Sequence, residues 1–260
     1  MEIACVSFFN SKPLIYGLAE KPGIRLTLDV PSRLLAGLAE KRFDVALLPV
    51  IDYQKLPGLT LIPAGGIGCR GPTLTVRIFS REPIERITTL ACDGDSHTSI
   101  ALARILLAER FGIRPEFVPL DRAVQSPHIA RLLIGDKVVC DEPAGFPHQL
   151  DLGEAWNRWT DLPFVFAAWM ARPGVELGSL PGILERAKPA GLAHVDDLID
   201  QFALPTGWPA ATARKYLTEY LHFDIGPDEL TAIRRFHALA HQHGLIAHEP
   251  WDLQVASLTC

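Results

Sequence analysis

The sequence predicts a two-lobed α/β protein with a ligand cleft between the lobes. Strand-like and helix-like segments alternate through its first half, and the pattern restarts near residue 88. The last third, beyond Gly174, is mainly helical. Residues 2–6 form a short apolar run without alternation, as expected of a strand buried on both faces. A polar loop and a helix over 14–19 follow, with Pro13 suited to the first turn, where its missing N–H costs nothing. The spacing then predicts a strand over 24–30, a helix opening at Pro31-Ser32 and running to Lys41, and a strand over 43–50. Two further strands, 59–64 and 74–80, flank Gly65-Gly66-Ile67-Gly68, read as a turn.

The second unit is read as a strand over 88–93, a helix over 96–111 and a strand over 116–120. A helix over 126–134 and a strand over 137–141 complete it, followed by a strand over 163–170. Helices are expected over 180–187, 193–203, 210–220 and 227–243. Strands near Leu74 and Val165 are candidate crossings between lobes, a geometry that lets a cleft open and close. The expected division is residues 1–85 with 175–260 as one lobe and 86–174 as the other.

Composition excludes several functions. Lys plus Arg number 25 against 30 Asp plus Glu, a formal charge of -5, and no basic block offers a phosphate-binding face, so no nucleic-acid partner is expected. No apolar stretch is long enough to span a bilayer and no secretory leader is read, so a cytoplasmic location without membrane association is expected. Cys5, Cys69, Cys92, Cys140 and Cys260 form no CxxC pair and are read as reduced thiols, three of them on buried strands. His237 and His241 have the spacing of one helix face but lack the Glu of a zinc-protease motif, so no metal is expected. Neither GxGxxG after the first strand, GxxxxGK[ST] nor GxSxG occurs, so no cofactor is expected.

The candidate site residues stand in loops at the ends of strands. Ser7, Asn10, Ser11 and Lys12 lie between the first strand and the first helix, where hydroxyls and free N–H groups can receive a carboxylate. An ordinary helix cap is the alternative. Gly94-Asp95-Ser96-His97-Thr98-Ser99 holds the equivalent place in the second unit, with His97 either a cap or a base. Asp141, at the end of the strand over 137–141, would bind a hydroxyl or cap a turn. Asp44 and Asp52 are assigned to turns and surface.

Val6-Ser7-Phe8-Phe9-Asn10-Ser11-Lys12-Pro13-Leu14 resembles the opening motif of the chorismate dehydratases of menaquinone biosynthesis, usually V-S-Y-L-N-T-K-P-L. The resemblance continues through Phe43-Asp44-Val45-Ala46-Leu47-Leu48-Pro49-Val50, Asp95-Ser96-His97-Thr98-Ser99 and Leu133-Ile134-Gly135-Asp136-Lys137. It ends with Asp151-Leu152-Gly153-Glu154-Ala155-Trp156 and Pro163-Phe164-Val165-Phe166-Ala167. It implies a periplasmic-binding-protein-like (type II) fold and a hydro-lyase of the futalosine route, converting chorismate to 3-[(1-carboxyvinyl)oxy]benzoate. The related 1,4-dihydroxy-6-naphthoate synthase usually opens S-P-C-P-N-D, which this chain lacks. A non-catalytic binding protein for a small carboxylate is the other alternative.

The resulting site has Asn10, His97 and Asp141 as catalytic residues, and Ser7, Asn10, Ser11, Ser96, Thr98 and Ser99 as substrate-binding residues. The partner is the small anion chorismate, and the protein is a monomer or homodimer. Two departures from the pattern stand out: His97 replaces the usual Arg, and Phe8-Phe9 replaces Tyr-Leu.

Overall fold

A computed structural model describes residues 1–92, 94, 97–122 and 129–258. β1 (Glu2–Val6) runs into a 3-10 segment, Phe9–Ile15, which begins within the expected polar loop and stops well short of the expected helix end at residue 19. β2 (Arg25–Asp29), α1 (Pro31–Ala39) and β3 (Val45–Pro49) follow the sequence pattern closely. A second 3-10 segment, Val50–Lys55, connects β3 to β4 (Thr60–Cys69). β5 (Val76–Ser80), β6 (Thr89–Cys92), α2 (His97–Phe111), β7 (Glu116–Pro119) and β8 (Ala130–Ile134) come next. They are followed by α3 (Asp136–Val139), β9 (His148–Asp151), α4 (Leu152–Thr160) and β10 (Phe164–Ala171). The last part holds α5 (Leu180–Ala193), α6 (Val195–Leu198), α7 (Ala210–Lys215), α8 (Pro227–Gln242) and the short β11 (Gln254–Val255).

The strands form two sheets, ordered β11-β4-β10-β3-β1-β2 and β7-β6-β8-β5-β9. β1 pairs in parallel with β2 and β3, as the crossover pattern requires, while β10 runs antiparallel between β3 and β4. The chain leaves the first sheet after Cys69, enters the second at β5, and returns through α4 to β10. The expected lobe boundary differs at both places: β5 belongs to the second sheet and β10 to the first.

Three local expectations are corrected. Gly65-Gly66-Ile67-Gly68 is part of strand β4. Its glycines admit neighbouring backbone: a Cβ on Gly66 would meet the Ala167 carbonyl at 2.6 Å, and one on Gly68 the Phe164 carbonyl at 2.7 Å. The helix expected over 126–134 is strand β8 from Ala130 onward, and residues 123–128 lie outside the described ones. A short aliphatic run suits either state, and pairing with β5 and β6 decides for the strand. The strand expected over 137–141 is instead α3, which begins after Gly135 at φ 62°.

Asp151, the N-cap of α4, joins the two crossings. Its carboxylate accepts from Thr73 and Leu74 N–H at 2.9–3.0 Å and from Gly153 and Glu154 N–H at 3.0–3.1 Å. Leu74 adopts a left-handed φ of 68°, a conformation costly for a residue with a Cβ. Burial pushes the Asp151 pKa up, against the lowering effect of the donated backbone bonds and Arg77. Replacing Asp151 by Ala would orphan these N–H groups in a largely dry site. The expected loss is about 3 kcal/mol of stability in urea unfolding, and a loss below about 1 kcal/mol would contradict this account.

Candidate functional site

A cavity of about 360 Å³ lies at the junction of the two sheets, within the range of small-ligand sites. Phe8, Leu47, Ile67, Val76, Ile134 and Phe166 contribute its apolar walls, while Asn10, His97, Thr98, Ser99, Asp136 and Lys137 supply polar groups. The first sheet and its turns bring Asn10. The N-terminus of α2 brings His97, Thr98 and Ser99, and the start of α3 brings Asp136 and Lys137.

His97 is oriented from the opposite lobe. Its Nδ1 lies 2.9–3.0 Å from both oxygens of Asp52, which is fully buried in the 3-10 segment after β3. An ionised carboxylate only accepts, so Nδ1 carries the proton and donates, and Nε2 is the other ring nitrogen. Lys55 Nζ binds the same carboxylate at 2.7 Å. Thr98 Oγ1 accepts the Ile51 N–H at 3.5 Å, adding a second contact between the same two elements.

The Asp52 segment is braced in turn by the C-terminal region. His237 on α8 is buried; its Nε2 donates to the Val50 carbonyl at 2.8 Å, and its Nδ1 accepts from Gln54 Nε2 at 3.0 Å. Gln54 also exchanges bonds with the Trp251 backbone, accepting from its N–H at 2.8 Å and donating to its carbonyl at 3.0 Å. Burial lowers the His237 pKa to about 4, although its bond to Val50 acts the other way.

On the Asn10 side, Nδ2 faces the Tyr216 hydroxyl at 3.4 Å, and Tyr216 in turn lies 2.8 Å from Thr75 Oγ1. Burial pushes the Tyr216 pKa up to about 12, so the hydroxyl keeps its proton. Asn10 Oδ1 is buried and has no hydrogen-bond partner among the described residues. Asp136 accepts from the Trp208 indole N–H at 2.7 Å, a contact between α3 and the helical C-terminal region.

The structure thus brings Asn10, His97, Thr98 and Ser99 together as the sequence suggested. It does not bring in Ser7, Ser11 or Asp141. Ser7 is exposed and outside the cavity lining. Ser11 is fully buried and donates to the Val6 and Phe8 carbonyls, shaping the turn rather than meeting a ligand. Asp141 is exposed and outside the lining, because the expected strand is a helix that ends before it. Ser96 and Asp95 lie outside the described residues.

Asp52 and Asp44 are also corrected. Asp52 is an internal partner of His97, and Asp44 is partly buried, accepting from Glu2 N–H and Arg172. Sequence reading missed Asp52, Asp136, Trp208 and Tyr216. The one available signal was the position of Asp52 in an otherwise apolar run, Pro49-Val50-Ile51-Asp52-Tyr53, with Lys55 three residues on.

Residues 1–242 match a family model described as menaquinone biosynthesis. The chain is 26% identical over 243 residues to the chorismate dehydratase of Thermus thermophilus, covering 86% of this chain and 89% of that one. It is likewise 26% identical over 244 residues to the chorismate dehydratase of Campylobacter jejuni, covering 89% and 93%. A solved protein of Archaeoglobus fulgidus superposes with a TM-score of 0.73 at 17% identity, covering 94% of this chain and 98% of that one. The periplasmic aliphatic sulphonate binding protein SsuA of Escherichia coli gives 0.70 at 12%, covering 100% and 95%. These structures establish a two-lobed periplasmic-binding-protein-like fold of type II.

The buried neutral His237 makes stability depend on pH. Its folded pKa of about 4 lies below the ordinary 6.5, so its contribution is full above pH 6.5. That contribution falls on acidification as the unfolded chain takes up the proton, and is lost near pH 4. The expected span is on the order of 3 kcal/mol. Urea unfolding at stepped pH measures it, and a His237→Gln variant should flatten the dependence over that interval.

Proposed function

The chain belongs to the menaquinone-biosynthesis family, and we propose on that basis that it is a hydro-lyase converting chorismate to 3-[(1-carboxyvinyl)oxy]benzoate in the cytoplasm. The observation that carries the reading is the Asp52–His97 pair, with His97 on the wall of a cavity sized for a small ring. The apolar walls suit the ring, and the N-terminal end of α2 with Thr98 and Ser99 suits a carboxylate. Lys137 adds a positive charge on the α3 side.

Asn10 takes the other carboxylate by a half-turn of its amide. In that orientation Tyr216 donates to Oδ1 and Thr75 donates to the Tyr216 oxygen, which leaves the NH₂ group of this cavity-lining residue unpaired for a ligand. Asp136 replaces Asp141 as the acceptor for the substrate hydroxyl.

In the reaction, His97 Nε2 takes the ring proton. The C–H electron pair enters the ring, the adjacent C–O bond breaks, and the departing hydroxide collects the proton from the imidazolium to leave as water. Aromatisation drives the step, and preorganised donors hold the developing charge on the ring carboxylate. The elimination itself requires neither metal nor redox cofactor.

The test is to incubate purified protein with chorismate and follow the aromatic product by chromatography. His97→Gln should lower kcat by about 10²-fold or more, the usual contribution of a general base. Asn10→Ala should also lower turnover sharply while leaving the unfolding midpoint unchanged. In a second mechanism the substrate's own enolpyruvyl carboxylate takes the proton; His97→Gln would then retain turnover within a few-fold. Binding of chorismate with no product would favour a non-catalytic carrier, a reading supported by the fold shared with SsuA.

A further inference from the structure

Trp208 lies just before α7 and is buried, packed against Phe9 at 5.5 Å and Tyr216 at 5.0 Å between ring centroids. Its indole nitrogen is a donor only, and it points out of this aromatic cluster to Asp136 Oδ1 at 2.7 Å. Phe9 follows β1 of the first sheet, while Asp136 follows β8 of the second, so the bond spans the two lobes. One oxygen of a cavity-lining carboxylate is therefore fixed by a rigid group from across the cleft.

We propose that Trp208 is a positioning residue that aims the remaining Asp136 oxygen at the hydroxyl lost in the reaction, so that this pair distinguishes the hydroxylated substrate from its aromatic product. The inference rests on the dehydratase reading and deepens it. The substrate offers a hydroxyl donor to the carboxylate, and the product has lost it. A site built around such a donor binds poorly a ligand that lacks it, because the acceptor, cut off from water by that ligand, is left unpaired. The preference weakens product binding after the C–O bond has broken, which favours release. A partner drawn from the opposite lobe also links the aim of Asp136 to the approach of the two lobes.

The experiment compares KM for chorismate, kcat, and the inhibition constant of added product in wild type, Trp208→Phe, Asp136→Asn and the double variant. Phe keeps a ring against Phe9 and Tyr216 but removes the N–H. Trp208→Phe should lower kcat by about tenfold and narrow the ratio of product inhibition constant to KM by a similar factor. In the Asp136→Asn background the same change should have little further effect, since the group that Trp208 then aims is an NH₂ that cannot accept from the substrate hydroxyl. An unaltered ratio in Trp208→Phe, or effects that simply multiply in the double variant, would overturn the proposal while leaving the dehydratase reading intact. If wild type makes no product, the dehydratase reading fails and the inference with it. Should Trp208→Phe not fold, Trp208→Met, which likewise lacks the donor, carries the same comparison.

Discussion

The carboxylate of Asp151 sets the relation between the two sheets, because both passages of the chain end on it. Two N–H groups come from the outgoing passage at Thr73 and Leu74, and two from the helix that begins the return at Gly153 and Glu154. The strained backbone of Leu74 is held against this acceptor. One residue further on, Thr75 meets Tyr216 through its hydroxyl and accepts the Gly135 N–H through its carbonyl. Asn10 and Asp136 are thus each one or two bonds from the hinge, and its geometry reaches both sides of the cavity.

A common arrangement serves the polar groups of the second lobe. His97 takes its orientation from Asp52, Thr98 contacts the Ile51 N–H, and Asp136 is held by Trp208. Each partner comes from the first lobe or the helices packed on it. Such cross-lobe support fixes side chains before a ligand arrives, and it makes their alignment a property of the paired lobes rather than of either alone. The C-terminal region contributes twice, through His237 behind the Asp52 segment and through Trp208 above Asp136.

Much of the framework was legible in local sequence. The runs behind β1 and β3 are short and apolar, and β2, which alternates polar with aliphatic residues, is separated from β3 by a clear helix pattern, so their type follows from composition and spacing. The site was less legible, because its decisive contacts join residues far apart in the chain. Nothing near Asp52 announces a histidine 45 positions later, and an acid beside a basic residue ordinarily reads as a turn. Asp136 and Asp141 are five residues apart and chemically alike; a strand would have carried the later one to the cavity, whereas the helix after Gly135 leaves the earlier one there. Ser11 belonged to the most distinctive motif, yet its hydroxyl is consumed by the backbone that the motif folds.

β4 is the outermost long strand of its sheet, and its free side is covered in two pieces. β11 lies beside Thr60 and Leu61, and the backbone at His222 and Phe223 takes up Gly66 and Gly68. The glycines that let β10 approach closely also leave this strand with little side-chain bulk to repel a foreign one. The tail and the 222–223 segment therefore act as shields against edge-to-edge association. How well this protein stays dispersed at high concentration depends on a two-residue strand that supplies no side chain to the cavity.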